Sequence, residues 1–171
     1  PEEIPPPSSI NGLKDLLTVL SITYDIYSAI IVDLPISVEV SGNGHILLKI
    51  VNNTLISDNI TNSYVYLGNH NDVILLPINN SYSVRIIGSA NTNMSVSVVY
   101  ANSSKLILNE FNNITVKKGT VLLLPSTKSN TMSVNMSGGL PKQVQAKTME
   151  LDVKQVLNQT SQNENAQVTS T

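Results

Sequence analysis

Few residues of this chain are of types that carry chemistry. His45 and His70 are the only histidines, there is no cysteine, and the 12 acidic residues are scattered. His70-Asn71-Asp72 sets an imidazole and a carboxylate two residues apart, a spacing that could ligate a metal. No third ligand stands at a useful distance along the chain, so a solvated polar turn is the expected role. His45 begins an apolar run next to Gly44 and is read the same way. Gly42-Asn43-Gly44 reads as a turn rather than a phosphate loop, because no helical pattern follows it. A GxSxG nucleophile elbow is absent from the sequence. Lys49 lies inside HILLKIV, where a lysine is expected to guard an edge strand. An isopeptide bond to an asparagine is the chemical alternative for it. Lys117-Lys118 reads as a solvated hairpin tip. No catalytic residue, cofactor or metal ion is expected, and the chain is not expected to be an enzyme.

The pattern that does imply chemistry is Asn-X-Ser/Thr. It occurs at Asn52, Asn59, Asn79, Asn93, Asn102, Asn113, Asn135 and Asn158, and no middle position is proline. A chain this rich in Asn, Ser and Thr would give roughly four such triplets by composition alone. The eight present are about twice that. Most lie where short apolar runs stop, which is where turns should be. A glycan needs a solvent-facing asparagine, so clustering at turns is the physical expectation for N-glycosylation. Glycosylation implies an extracytoplasmic chain. A start at Pro1 rather than Met is expected of either a processed chain or a fragment, and the lack of a visible signal peptide fits a mature secreted form.

Composition narrows the classes further. Of 171 residues, 54 are Val, Ile or Leu and 55 are Asn, Ser or Thr, while charged residues are 13% and the net charge is −2. The lack of cysteine excludes a disulfide scaffold, a zinc finger and a thiol enzyme. Nine Lys and one Arg, nearly balanced by acids, do not make a nucleic-acid footprint. The aliphatic content is too high for a disordered chain. A β-rich domain with an amide- and hydroxyl-covered surface remains. Few ionisable groups also suit an acidic exterior, since few carboxylate pairs are lost on protonation.

The elements must be read from periodicity. Residues 1–12 form a proline-rich linker. From Leu16 to Val40 the even positions are almost all apolar, through Leu20, Ile22, Tyr24, Ile26, Ile30, Val32 and Leu34, while the odd positions are mixed. Period two predicts a strand, and Asp25 and Asp33 speak against a helix spanning the segment. A strand of 25 residues would extend about 80 Å at roughly 3.3 Å per residue. The remaining domain should measure only about 35–40 Å across. No turn signal stands between Lys14 and Leu34, and Asp33-Leu34-Pro35 is a natural break. The expectation is an extended N-terminal strand over 16–34 that leaves its own domain and inserts into a neighbouring copy. Its inward face would be Leu20, Ile22, Tyr24, Ile26, Ile30, Val32 and Leu34.

The rest is a series of short apolar runs between polar turns. Strands are predicted at 45–51, 63–67, 73–78, 83–87, 95–101, 105–108, 114–117, 120–124, 131–136 and 142–148. A strand is preferred over a helix at 148–157. Spacing of 8–12 residues predicts an all-β fold, a β-sandwich of Ig-like or jelly-roll-like type. The expected division is a linker and donor-strand tail over 1–35, a sandwich head over 36–157 and a polar tail over 158–171.

LLTVLSITYDIYSAIIVDLPISVEV followed by a sequon-studded β domain resembles the subunits of archaeal thread filaments. The resemblance covers the whole chain in architecture, without a short diagnostic motif. It implies a head, an N-terminal tail strand, head-to-tail assembly by donor-strand complementation, and a role in adhesion or cell–cell contact at the cell surface. The implied partners are identical subunits and N-linked glycans, with no nucleic acid and no membrane span in the mature chain. Other readings stay open. They are a surface-layer or adhesin domain with 16–34 paired in cis, an archaeal type IV pilin, and a viral jelly-roll capsid protein.

Overall fold

The computed structural model describes residues 12–23, 26–136 and 139–155. In chain order the elements are α1 (Gly12–Thr23), β1 (Tyr27–Asp33), β2 (Ile36–Gly42), β3 (His45–Val51), β4 (Thr54–Asp58), β5 (Tyr64–Leu67), β6 (Asn71–Pro77), β7 (Ser83–Gly88), β8 (Thr92–Asn102), β9 (Lys105–Val116), β10 (Val121–Leu124), β11 (Thr131–Asn135), β12 (Lys142–Gln145) and β13 (Lys147–Asp152). They form an all-β sandwich of two antiparallel sheets. One has the order β13-β9-β8-β1-β6-β5, the other β12-β11-β10-β7-β2-β3-β4.

Alternation of side chains builds the core between the sheets. Ile30 and Val32 of β1, Ile74 and Leu76 of β6, and Val96 and Val98 of β8 face Val38 and Val40 of β2, Val84 and Ile86 of β7, and Leu122 and Leu124 of β10. Phe111 is fully buried in the same core. A second apolar cluster lies on the other face of the β1 sheet. There Leu16, Val19 and Leu20 of α1 cover Ala29 and Ile31 of β1, Val73 and Leu75 of β6, and Leu106 and Leu108 of β9. The β1 sheet is thus buried on both faces at its centre, which is why β1 and β6 read as continuous apolar runs rather than alternating ones.

The expected extended strand over 16–34 is corrected here. Its first half is α1. Leu13, Leu16, Leu17 and Leu20 fall at i, i+3, i+4 and i+7, one face of a helix. Leucine is a strong helix former. The hydroxyls of Thr18 and Ser21 donate back to the carbonyls of Lys14 (3.0 Å) and Leu17 (2.7 Å), so they need no outside partner. The second half, β1, stays in its own chain as an interior strand, paired with β6 (Ile30↔Ile74) and β8 (Ile30↔Val98). The expected boundary at 33–35 is corrected with it. Leu34 and Pro35 carry the chain from β1 in one sheet to β2 in the other, and the Asp33 carboxylate accepts from the Ser95 N–H at 2.9 Å. Residues 27–35 belong to the sandwich, and α1 packs on it.

The other predicted strands are present with shifted ends. The break expected at 109–113 is bridged by β9, which carries a bulge: two steps along β8, Met94 to Val96, face three along β9, Ile114 to Phe111. Residues 142–148 divide into β12 and β13. The strand expected at 148–157 runs as β13 to Asp152 and then turns helical at Val153, Lys154 and Gln155. Strand β4 was not expected, because Thr54–Asp58 is short and flanked closely by asparagines. No helix among the described residues is long and apolar enough to cross a membrane.

Candidate functional site

The seven described sequon asparagines, Asn52, Asn59, Asn79, Asn93, Asn102, Asn113 and Asn135, are all exposed. Asn158 lies outside the described residues. Their local geometry explains the exposure. Asn52 occupies the turn between β3 and β4 with φ 47°, a left-handed conformation that asparagine tolerates better than most residues. Asn59 follows β4, with its N–H donating to the Leu47 carbonyl at 2.7 Å. Asn79 follows β6, Asn102 ends β8 and Asn135 ends β11. Asn113 sits in the β9 bulge with φ 56°, which turns its side chain outward. By contrast Asn109, which is not in a sequon, is 1% exposed. Its amide is bonded through both polar atoms, donating to the Ser129 carbonyl at 3.3 Å and accepting from Thr148 Oγ1 at 2.6 Å.

Two sequons meet across strands. Asn93 of β8 lies opposite Thr115 of β9, and Thr115 Oγ1 donates to Asn93 Oδ1 at 3.0 Å. Ser95 Oγ in turn accepts the Asn113 N–H at 3.3 Å. Each triplet's hydroxyl therefore contacts the other triplet's asparagine, while both asparagines remain exposed. The antiparallel registers place Asn52, Asn93, Asn113 and Asn135 toward the end of the sandwich where β1 passes to β2. Asn59, Asn79 and Asn102 lie toward the opposite end. A shallow depression of about 260 Å³ lies between Asn59 and Asn79, lined by Leu47, Ile60, Pro77 and Tyr82.

The residues expected to form a donor strand do not share one face. Leu20 is fully buried under α1 against the outer side of the β1 sheet. Ile22 is helical, and Tyr24 lies outside the described residues. Ile26 packs partly on the helix-covered cluster and its carbonyl accepts from the Ile78 N–H at 3.0 Å. Ile30 and Val32 lie in the inter-sheet core, with Leu34 at its margin.

The other chemically capable groups stay apart. His45 and His70 are exposed, while Asp72 is fully buried; His70 lies in the bend before β6, where strand geometry does not hold it on the face of Asp72. Among the described residues no three His, Cys, Asp or Glu side chains could hold a metal ion. Lys49 is not on an edge. It faces Glu39 across the outer surface of the β2 sheet at 4.0 Å, and Arg85 holds the same carboxylate at 2.9 Å from the other side. Such half-exposed pairs are each worth about 0–1 kcal/mol.

Asp72 is the polar group that sequence reading undervalued. Its Oδ1 accepts the Gly68 N–H at 3.2 Å, while Oδ2 is buried without a partner. Asn53 Nδ2 donates to the Gly68 carbonyl at 3.1 Å, and its Oδ1 is likewise buried and unpartnered. These two side chains join the β3–β4 turn to the β5–β6 turn. Burial pushes the Asp72 carboxyl above its ordinary range, and the Gly68 N–H opposes this only in part. The folded state therefore binds this proton more tightly than the unfolded state. The resulting stability is fully present below the unfolded pKa and is lost as pH rises through the folded one. Asp72→Asn is expected to raise the melting temperature at pH 7 and to leave it nearly unchanged near pH 3. Thermal unfolding at both pH values checks this, and an equal shift at both would contradict it.

No protein-family model matches the chain, and no curated protein and no solved structure is significantly similar to it.

Proposed function

We propose that the protein is an N-glycosylated structural domain of an extracytoplasmic surface assembly, a building block rather than a catalyst. The observation that carries this reading is the exposure of all seven described sequon asparagines, set against the buried, hydrogen-bonded Asn109. A chain that acquires glycans must leave each acceptor amide in solvent. The uncharged Asn/Ser/Thr surface and the aliphatic core support the same reading, since such a sandwich depends little on carboxylate pairs. The surface-layer or adhesin form of this proposal fits the cis pairing of β1. Adhesion or contact between cells is its proposed role, with copies of the same chain and N-linked glycans as partners.

A second reading keeps the thread-like filament. The position of β1 favours it: an interior strand between β6 and β8, connected along the chain to β2 through Leu34 and Pro35. The slot between β6 and β8 would accept the same strand from a neighbour, and head-to-tail exchange does not close on itself.

Immunogold electron microscopy of native cells tests both. Label on the outer surface is expected, on a layer in the first reading and along filaments in the second. Label confined to the cell interior would overturn the proposal.

A further inference from the structure

Four strands end the two sheets, and they are protected unequally. At one side, β12 carries Lys142, and β13 carries Lys147, Glu150 and Asp152, with Glu150 paired to Lys105 at 3.2 Å. Charges of this kind keep sheet edges from pairing with other chains. At the other side lie β4 and β5, which have no Lys, Arg or Pro; Asp58 at the end of β4 is their only charge. Leu55 is 40% exposed and Ile56 58%, and Ile46 on the neighbouring β3 is 51% exposed. On β5, Leu67 is also exposed. A bulge at Ile56, where Lys49 and Ile50 face Ser57 and Leu55, bends β4 but leaves Ile56 in solvent. Among the described strands this is the edge with the least charge and with exposed aliphatic side chains, the type that templates association.

The sequence places a sequon immediately before β4 and another immediately after it. Asn52 lies two residues before Thr54, and Asn59 directly follows Asp58. Both side chains are exposed. The strand between them spans about 17 Å at roughly 3.3 Å per residue, so bulky glycans at its two ends bracket the whole edge.

We propose that glycans on Asn52 and Asn59 cover the β4 edge and its exposed aliphatic side chains, preventing this chain from pairing edge-to-edge with a second copy. The proposal rests on the glycosylation reading above. It assigns these two sites a role that the other described sequons, which do not bracket an uncharged edge strand, do not share.

The test uses the full chain made in a glycosylating host. Asn52→Gly, chosen because glycine accepts the left-handed turn, is combined with Asn59→Gln. The control combines Asn102→Gln with Asn135→Gln, removing as many sites elsewhere. Glycopeptide mass spectrometry establishes occupancy in the parent, thermal unfolding establishes that both variants fold, and light scattering after size exclusion reads the assembly state. The Asn52/Asn59 variant is expected to shift to at least twice the parent's apparent mass, while the control stays with the parent. Adding Ile56→Lys should return the variant to the parent's state. If both sites carry glycans in the parent but the two variants behave alike, the shielding proposal is wrong and the glycosylation reading stands. If both sites are bare in the parent, the reading fails at these positions and the proposal falls with it.

Discussion

Ile30→Asp is expected to leave the chain unfolded at neutral pH. Ile30 is fully buried between the sheets, paired with Ile74 on one side and Val98 on the other. A carboxylate there has no cation within the apolar cluster, and burying it unpaired costs several kcal/mol or forces its protonation. A domain of this kind has only about 5–15 kcal/mol in total. Circular dichroism and a thermal melt at low protein concentration check the outcome. The parent chain's own melt separates the two assembly readings. If β1 belongs to its own sandwich, the melting temperature is independent of protein concentration. If β1 comes from a neighbour, the slot between β6 and β8 is filled only on assembly and the melting temperature rises with concentration. A cooperative transition of Ile30→Asp close to the parent's would count against β1 as an interior strand of its own fold.

Leu20→Ala addresses the other face of the β1 sheet. Leu20 is fully buried between α1 and a cluster that includes Ala29, Leu75 and Val99. Truncation of such a leucine costs about 2–5 kcal/mol. For a chain of this size each kcal/mol moves the melting temperature by about 2–4 °C, so a drop of about 4–20 °C is expected. Lys14→Ala, on the exposed side of the same helix, should change stability by less than about 0.5 kcal/mol. Equal effects from the two substitutions would mean that α1 does not pack on the sheet.

The error over residues 16–34 has a specific cause. Leu16, Leu20 and Ile22 satisfy period two, yet Leu13, Leu16, Leu17 and Leu20 also satisfy helical spacing. Asp25 and Asp33 argue against one long helix, but both come after Thr23 in the sequence, where α1 ends. The segment changes period near residue 24, and a single template fitted across it hides that change. The length argument then misled as well, because a chain that is helical over 12–23 has no excess reach. Elsewhere the alternation in β8 and β11 and the turns at Gly42–Gly44 and Lys118-Gly119 were legible, since each rests on local chemistry. Strand pairing was not, because it depends on side chains far apart in sequence. The acceptor asparagines were the most legible feature, as a triplet is read without any fold. The buried Asp72–Gly68–Asn53 contact could not be read, because nothing in the sequence brings the two turns together.

That this surface is built to carry glycans should be visible in mass spectrometry of the protein from its native source. Intact mass should exceed the 18.5 kDa of the bare chain. Glycopeptides should map to most of Asn52, Asn59, Asn79, Asn93, Asn102, Asn113 and Asn135, with Asn109 unmodified. An intact mass equal to that of the bare chain, with every one of these asparagines recovered unmodified, would contradict it.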